Sequence, residues 1–355
     1  MAFDAATKLQ VLDALIGAGV RWIEVGIPAM GGDELTYLKA ATERQSQATL
    51  VAWNRGVRAD VEQSLDLGFL AVHIGLPASQ LHLAESVGKT RKWLLATVRD
   101  LVALAKDRGA FVSVSAEDIA RTEISFLEEY AGVVHESGAD RLRLSDTVGL
   151  LGPEGYGERI RAAVAAAPVD VQCHAHNDFG LGLANTLAGL QAGARYFHVT
   201  INGMGERAGM ADLAQAVMAL KYLYGVDLGV KTEQLTALSQ LVAKACRAPV
   251  QPWQPIVGPN ISAHESGIHV NAMLKDTSTF EPFAPEVVGA ERSYVLGKHS
   301  GRALVEAVLR ASGAEPSAQD LTRSLAWVRE QSNLRGGRVP EAELVTFFEP
   351  FKVLK

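Results

Sequence analysis

Residues 170–178, DVQCHAHND, read as a β-strand that ends in polar side chains. Val171, Cys173 and Ala175 alternate with Gln172, His174 and His176, so the two histidines stand two apart and point the same way. Imidazoles at that spacing converge on one cation, while Cys173 faces the opposite side and joins the core. A pair of core histidines is the plain alternative, but a strand tip is where a ligand site is expected. Nitrogen and oxygen donors suit Mg²⁺, Mn²⁺, Fe²⁺ or Zn²⁺ better than a thiolate-bound ion. Asn177 and Asp178 follow, at positions suited to orienting the rings from behind. Two imidazoles do not complete a shell, so other ligands must come from elsewhere.

Six further runs share this form: residues 21–28, 49–55, 70–77, 110–118, 141–147 and 195–203. Amphipathic stretches such as TRKWLLATVRDLVALAKDRG (90–109) separate them, and glycine-containing breaks precede several strands. Regular β/α alternation predicts a parallel sheet, and this number of units predicts a (β/α)₈ TIM barrel. Asn54, Arg55, His73, Glu117, residues 145–147 and Asn202 gather at strand C-termini, where barrel sites are built. The count is seven strands, however, and the chain opens directly into a helix, FDAATKLQVLDALIGAGV (3–20). The expected fold is therefore α/β, a TIM barrel missing its first strand, followed by small, mainly helical C-terminal subdomains. The barrel is expected over 1–230, a proline-rich linker over 231–260 and the subdomains over 261–355.

Composition bounds the function. An apolar fraction of 48% in 355 residues supplies a large core. A net charge of −6 with scattered Lys and Arg argues against nucleic acid and against an anionic membrane surface. Two cysteines make no disulfide framework. Without a signal peptide or an apolar span, a cytoplasmic protein is expected.

Other residues carry chemical promise. Glu117 ends a strand in SAED, either as a helix cap or as a rim carboxylate that charges or orients a histidine. RLRLSDT sets Arg141, Arg143, Ser145 and Thr147 on one face. Facing inward, Arg143 and Thr147 grip a carboxylate; facing outward, the arginines are solvated, and two on one face favour at least one in water. TINGMGERAGM (200–210) is a glycine-rich loop holding Gly205 and Glu206, which lets backbone approach a ligand.

Taken together, EVGIPAMG, SAEDIAR, LSDTVGLLGP, CHAHNDFGLGLANTLAGLQAGA, TINGMGERAG, HESGIH and VLGKHSGR resemble the homocitrate synthase and 2-isopropylmalate synthase family. The motifs fall in family order up to residue 302, and EVGIPAMG and VHIGLPAS are most similar to the nitrogen-fixation type of homocitrate synthase. The resemblance implies an acyltransferase that condenses acetyl-CoA with 2-oxoglutarate to give (R)-homocitrate and CoA. It implies that His174 and His176 hold the divalent metal, that Glu117 pairs with His269 of a domain-swapped homodimer partner, that Thr147 binds the substrate carboxylate, and that Gly205 and Glu206 adjoin acetyl-CoA. Arg143 is expected to hold the distal carboxylate of 2-oxoglutarate. Alternatives are 2-isopropylmalate, citramalate or Re-citrate synthase, or an inactive dimeric scaffold. Three departures stand out. Met210 replaces a metal-binding Asn of many relatives, and Phe280 replaces a Tyr. The Arg-Asp segment of the family's first strand, which supplies an acidic metal ligand, has no counterpart. A GTG start codon read as Met, with the strand encoded upstream in frame, is the expected explanation, and the 355-residue chain alone is expected to have little activity.

Overall fold

A computed structural model describes residues 2–352. Seven parallel strands pair in chain order: β1 (Trp22–Gly26), β2 (Thr49–Arg55), β3 (Ala71–Gly75), β4 (Phe111–Glu117), β5 (Arg141–Asp146), β6 (Asp170–Ala175) and β7 (Tyr196–Phe197). Helix α1 (Ala5–Gly17) precedes β1. The strands alternate with α2 (Gly32–Thr42), α3 (Arg58–Asp66), α4 (Arg91–Asp107), α5 (Ile124–Glu136), α6 (Pro153–Ala166) and α7 (Gly182–Gln191), and α8 (Leu213–Leu223) follows β7. Side-chain alternation decides which face each strand buries. Val112, Val114, Ala116, Leu142, Leu144, Val171 and Cys173 point outward into one apolar cluster with Leu94, Leu101, Leu127 and Tyr130 of the helices. The intervening residues point into the barrel. Paired positions Glu117–Ser145–His174 and Ser115–Arg143–Gln172 therefore form polar layers across neighbouring strands.

The sheet is curled far enough for its edges to meet through side chains. The ring of Trp22 of β1 lies tilted 4.7 Å from that of Phe111 of β4 and edge-on 6.0 Å from that of Tyr196 of β7, and Arg143 of β5 reaches Glu24 of β1 at 2.7 Å. Yet β1 and β7 share no ladder. A cavity of about 660 Å³ opens between them, walled by Val11 and Leu15 of α1 and by Leu213 and Val217 of α8. The seven-strand TIM-like half-barrel read from the sequence is the architecture observed.

Three boundaries differ from expectation. The run 195–203 yields a strand of only two residues, and the chain then turns at Ile201–Gly203. His176 lies just past β6 and bridges to Met210. The stretch 231–260 holds helix α9 (Leu235–Cys246), whose Leu235, Leu238 and Val242 are buried, so its middle is an ordered element.

The chain divides into two units, residues 1–232 with 237–249, and residues 233–236 with 250–355. The second contains β8 (Ala263–His264) paired with β9 (Ser293–Tyr294), and helices α10 (Gly267–Met273), α11 (Arg302–Ala311), α12 (Ala318–Arg335) and α13 (Glu341–Lys352). Leu304, Val305, Leu309, Leu321, Val328 and Leu344 form its own core. A reciprocal cap between Ser317 and Asp320 starts α12. Among the described residues, no helix is long and apolar enough to cross a membrane.

Candidate active site at the strand tips

The β6 histidines converge. Nε2 of His174 lies 3.3 Å from Nε2 of His176. The Gly209 carbonyl sits 3.2 Å from Nδ1 of His176, which suits a proton on Nδ1 and a lone pair on Nε2. Nδ1 of His174 meets Nδ1 of His198 at 2.9 Å, so one of these two nitrogens donates and the other accepts. Burial pushes His174 and His198 well below the usual imidazole range, and His176 is lowered for the same reason. Neutral rings are the form a metal ion binds. Asn177 and Asp178 do not orient them as expected. Asn177 accepts from the Gly182 amide, and Asp178 pairs with Arg207 at 2.8 Å.

Glu24, His198 and Gln172 were missed as site residues. Glu24 lies between the outward Ile23 and Val25, so alternation alone turns it inward. Its carboxylate binds Arg143, and Nε2 of His198 approaches it at 3.9 Å. Arg143 also donates to Gln172 at 2.9 Å and is buried. Arg141 is buried as well, against the expectation that one of the two arginines meets water. It sits against Tyr196 at 3.7 Å and Trp22 at 4.3 Å, because three aromatic residues begin β1, β4 and β7 at its level.

On β4, Glu117 faces inward and accepts from Ser115 at 3.4 Å. Burial raises its pKa, with Ser115 and Arg143 pulling the other way. Gly75 makes room for it: a Cβ there would lie 2.9 Å from Oε1 of Glu117 and 2.5 Å from Trp53. Thr147 is already employed, its hydroxyl accepting from the Asp118 amide at 2.8 Å and tying two strand tips together. Gly205 and Glu206 lie exposed in their loop. Arg55 and Asn54 prove structural, the first pairing with Asp60 and the second bridging β2, β3 and Ser64. In the second unit, His269 is exposed on α10 and stacks on Phe280 at 4.0 Å.

The donor set fits a divalent ion in part. His174 and His176 supply two fixed nitrogen donors, while among the described residues no group of three or more His, Cys, Asp or Glu is placed to hold an ion. An ion held there would need further ligands beyond the two imidazoles.

The HMGL-like family matches residues 1–242, and the homocitrate synthase post-HMGL domain-like family matches residues 256–335. The chain is 65% identical to 2-phosphonomethylmalate synthase of Streptomyces rubellomurinus, over 98% of this chain and 93% of that protein. It is 42% identical to 2-isopropylmalate synthase 2 of Caldanaerobacter subterraneus, over 98% and 91%. Among solved structures, Bacillus subtilis HMG-CoA lyase superposes with a TM-score of 0.64 at 20% identity, covering 70% of this chain and 89% of that one, which is a likeness of fold.

Proposed function

Because this chain belongs to the HMGL-like family, we propose that it condenses the acetyl group of acetyl-CoA with the ketone of a 2-oxo acid that ends in a second anion, and that this anion is a phosphonate. The observation that carries the choice is the 65% identity to a synthase whose product is a malate bearing a phosphonomethyl group. Cutting the new C–C bond of such a product leaves an acetyl unit and 3-phosphonopyruvate.

A Claisen condensation needs a base for a weakly acidic methyl group and a polarised acceptor ketone. Glu117, with its pKa raised by burial, is suited to take the methyl proton together with His269 of a partner subunit in a homodimer. His174 and His176 would hold the divalent metal, which supplies Lewis acidity to the ketone when bound. The methyl carbon bonds to the ketone carbon, the ketone oxygen takes a proton to become a tertiary hydroxyl, and water releases CoA from the thioester. Arg143, locked by Glu24 and Gln172, offers a fixed cation for the acceptor's far anion. The exposed Gly205–Glu206 loop is assigned to the acetyl-CoA side.

A second reading, 2-oxoglutarate as acceptor giving (R)-homocitrate, is favoured by the post-HMGL domain match. Acceptor binding measured by calorimetry with Mn²⁺ present, alongside CoA release, decides between them. 3-Phosphonopyruvate is expected to outcompete 2-oxoglutarate, and Arg143→Ala to weaken it about tenfold while leaving acetyl-CoA binding unchanged. Preference for 2-oxoglutarate hands the assignment to the second reading. Preference for the uncharged-tail acid 2-oxoisovalerate, or equal losses for both substrates, overturns the role of the second anion.

A further inference from the structure

Asp118, the residue after Glu117, is 0% exposed and holds φ at +60° and ψ at +47°. That is the left-handed region, which few side chains other than Asn and Asp enter. Its neighbours lock the conformation. The carboxylate accepts from the Ser79 hydroxyl at 2.6 Å and from Nε of Arg121, which lies 3.0 Å from one oxygen and 2.9 Å from the other. The carbonyl accepts from the Thr122 hydroxyl at 2.9 Å. A strained turn held this firmly at a strand tip points to a use.

The use lies in where the backbone is sent on each side. Behind it, the Glu117 amide donates to the Leu76 carbonyl at 3.0 Å and the Glu117 carbonyl accepts from the Ala78 amide at 2.9 Å, which pins the tip of β4 to the chain after β3. Ahead of it, the Asp118 amide is aimed at the tip of β5 and donates to the Thr147 hydroxyl oxygen at 2.8 Å. A hydroxyl has a single proton, and an oxygen fixed as acceptor leaves that proton to donate elsewhere. The Ser145 carbonyl is 3.4 Å away, long for an O–H···O bond. The proton is therefore available to an anion at the barrel mouth.

We propose that Asp118 is a positioning residue, whose left-handed turn, locked by Ser79 and Arg121, orders the Thr147 hydroxyl as a donor to the carboxylate beside the acceptor's ketone. The inference rests on the condensation reading but not on the acceptor's far end, since 3-phosphonopyruvate and 2-oxoglutarate share that carboxylate.

The test is a double-substitution cycle read by calorimetry with Mn²⁺ present, using both acids. Asp118→Ala is expected to weaken the better-bound acid about tenfold while leaving acetyl-CoA binding unchanged. Asp118→Asn tolerates the turn and still accepts from Ser79, so it is expected to recover most of that affinity. Asp118→Gly keeps the turn without its anchors and falls between. With Thr147→Val already in place, Asp118→Ala is expected to add nothing. A merely structural role would weaken both substrates and cost the same in either background, and that result overturns the inference. Hydrogen exchange at the Asp118 amide reads the contact without any ligand. Thr147→Val should speed it at least about tenfold, and an unchanged rate also overturns the inference. Should Asp118→Ala fail to fold, the Asn and Gly variants in both Thr147 backgrounds decide by the same comparison. An unaltered chain that binds neither acid overturns the condensation reading itself. One that binds an acid with no coupling between Asp118 and Thr147 overturns only the role of Asp118.

Discussion

His174 lies within hydrogen-bonding reach of both His176 and His198, and burial lowers the pKa of all three rings, which favours their neutral form. The same physics acts on carboxyl groups with the opposite result. Asp212 caps α8 by accepting from the Gln215 amide at 2.9 Å, but burial lifts its pKa from 3.8 to about 6. A folded-state pKa above the unfolded one means the folded chain binds the extra proton. The resulting stability is full below pH 3.8 and is lost as pH rises through about 6. Asp212→Asn keeps a good cap and removes the titration. Urea denaturation at pH 4 and pH 7 is expected to show the native chain losing about 2 kcal/mol more than the variant over that interval. Equal losses would mean that Asp212 ionises freely.

Elements place these groups through backbone as much as through side chains. The Gly209 carbonyl accepts from the Asn177 amide at 2.9 Å and faces Nδ1 of His176, so the loop after β7 aims a ring at the end of β6. Gly209 holds φ at +82°, and a Cβ there would fall 1.9 Å from the Gly203 carbonyl oxygen. Gly209→Ala therefore combines left-handed strain with a backbone clash. A loss of about 1–3 kcal/mol in thermal stability is expected, with divalent-ion affinity, read by Mn²⁺ titration, falling about tenfold. Unchanged affinity would show that His176 does not depend on this loop. The strands were legible because outward Val, Ile and Leu alternate with inward polar residues. The length of β7 was not, since Val199 and Thr200 favour extended structure, yet the ladder with β6 ends at Phe197 and the chain turns at Ile201–Gly203.

At the scale of the molecule the two units have separate cores, Leu142 belonging to one and Leu304 to the other. Leu142 is 0% exposed and Leu304 2%. Truncating either to Ala is expected to cost about 2–5 kcal/mol. In calorimetry Leu142→Ala should lower one transition and Leu304→Ala the other; a single transition moved equally by both would show that the units melt as one. Period-two and helical periodicities are local, and local pattern was enough to give the β/α order, the open seven-strand barrel and the inward pair His174 and His176. Burial and pairing are not local. Whether Arg141 met water, whether the Thr147 hydroxyl stayed free, and which partners Glu24 and His198 found depended on separate strands curling until their residues met. That closure distance is set by the barrel, and no single stretch of sequence contains it.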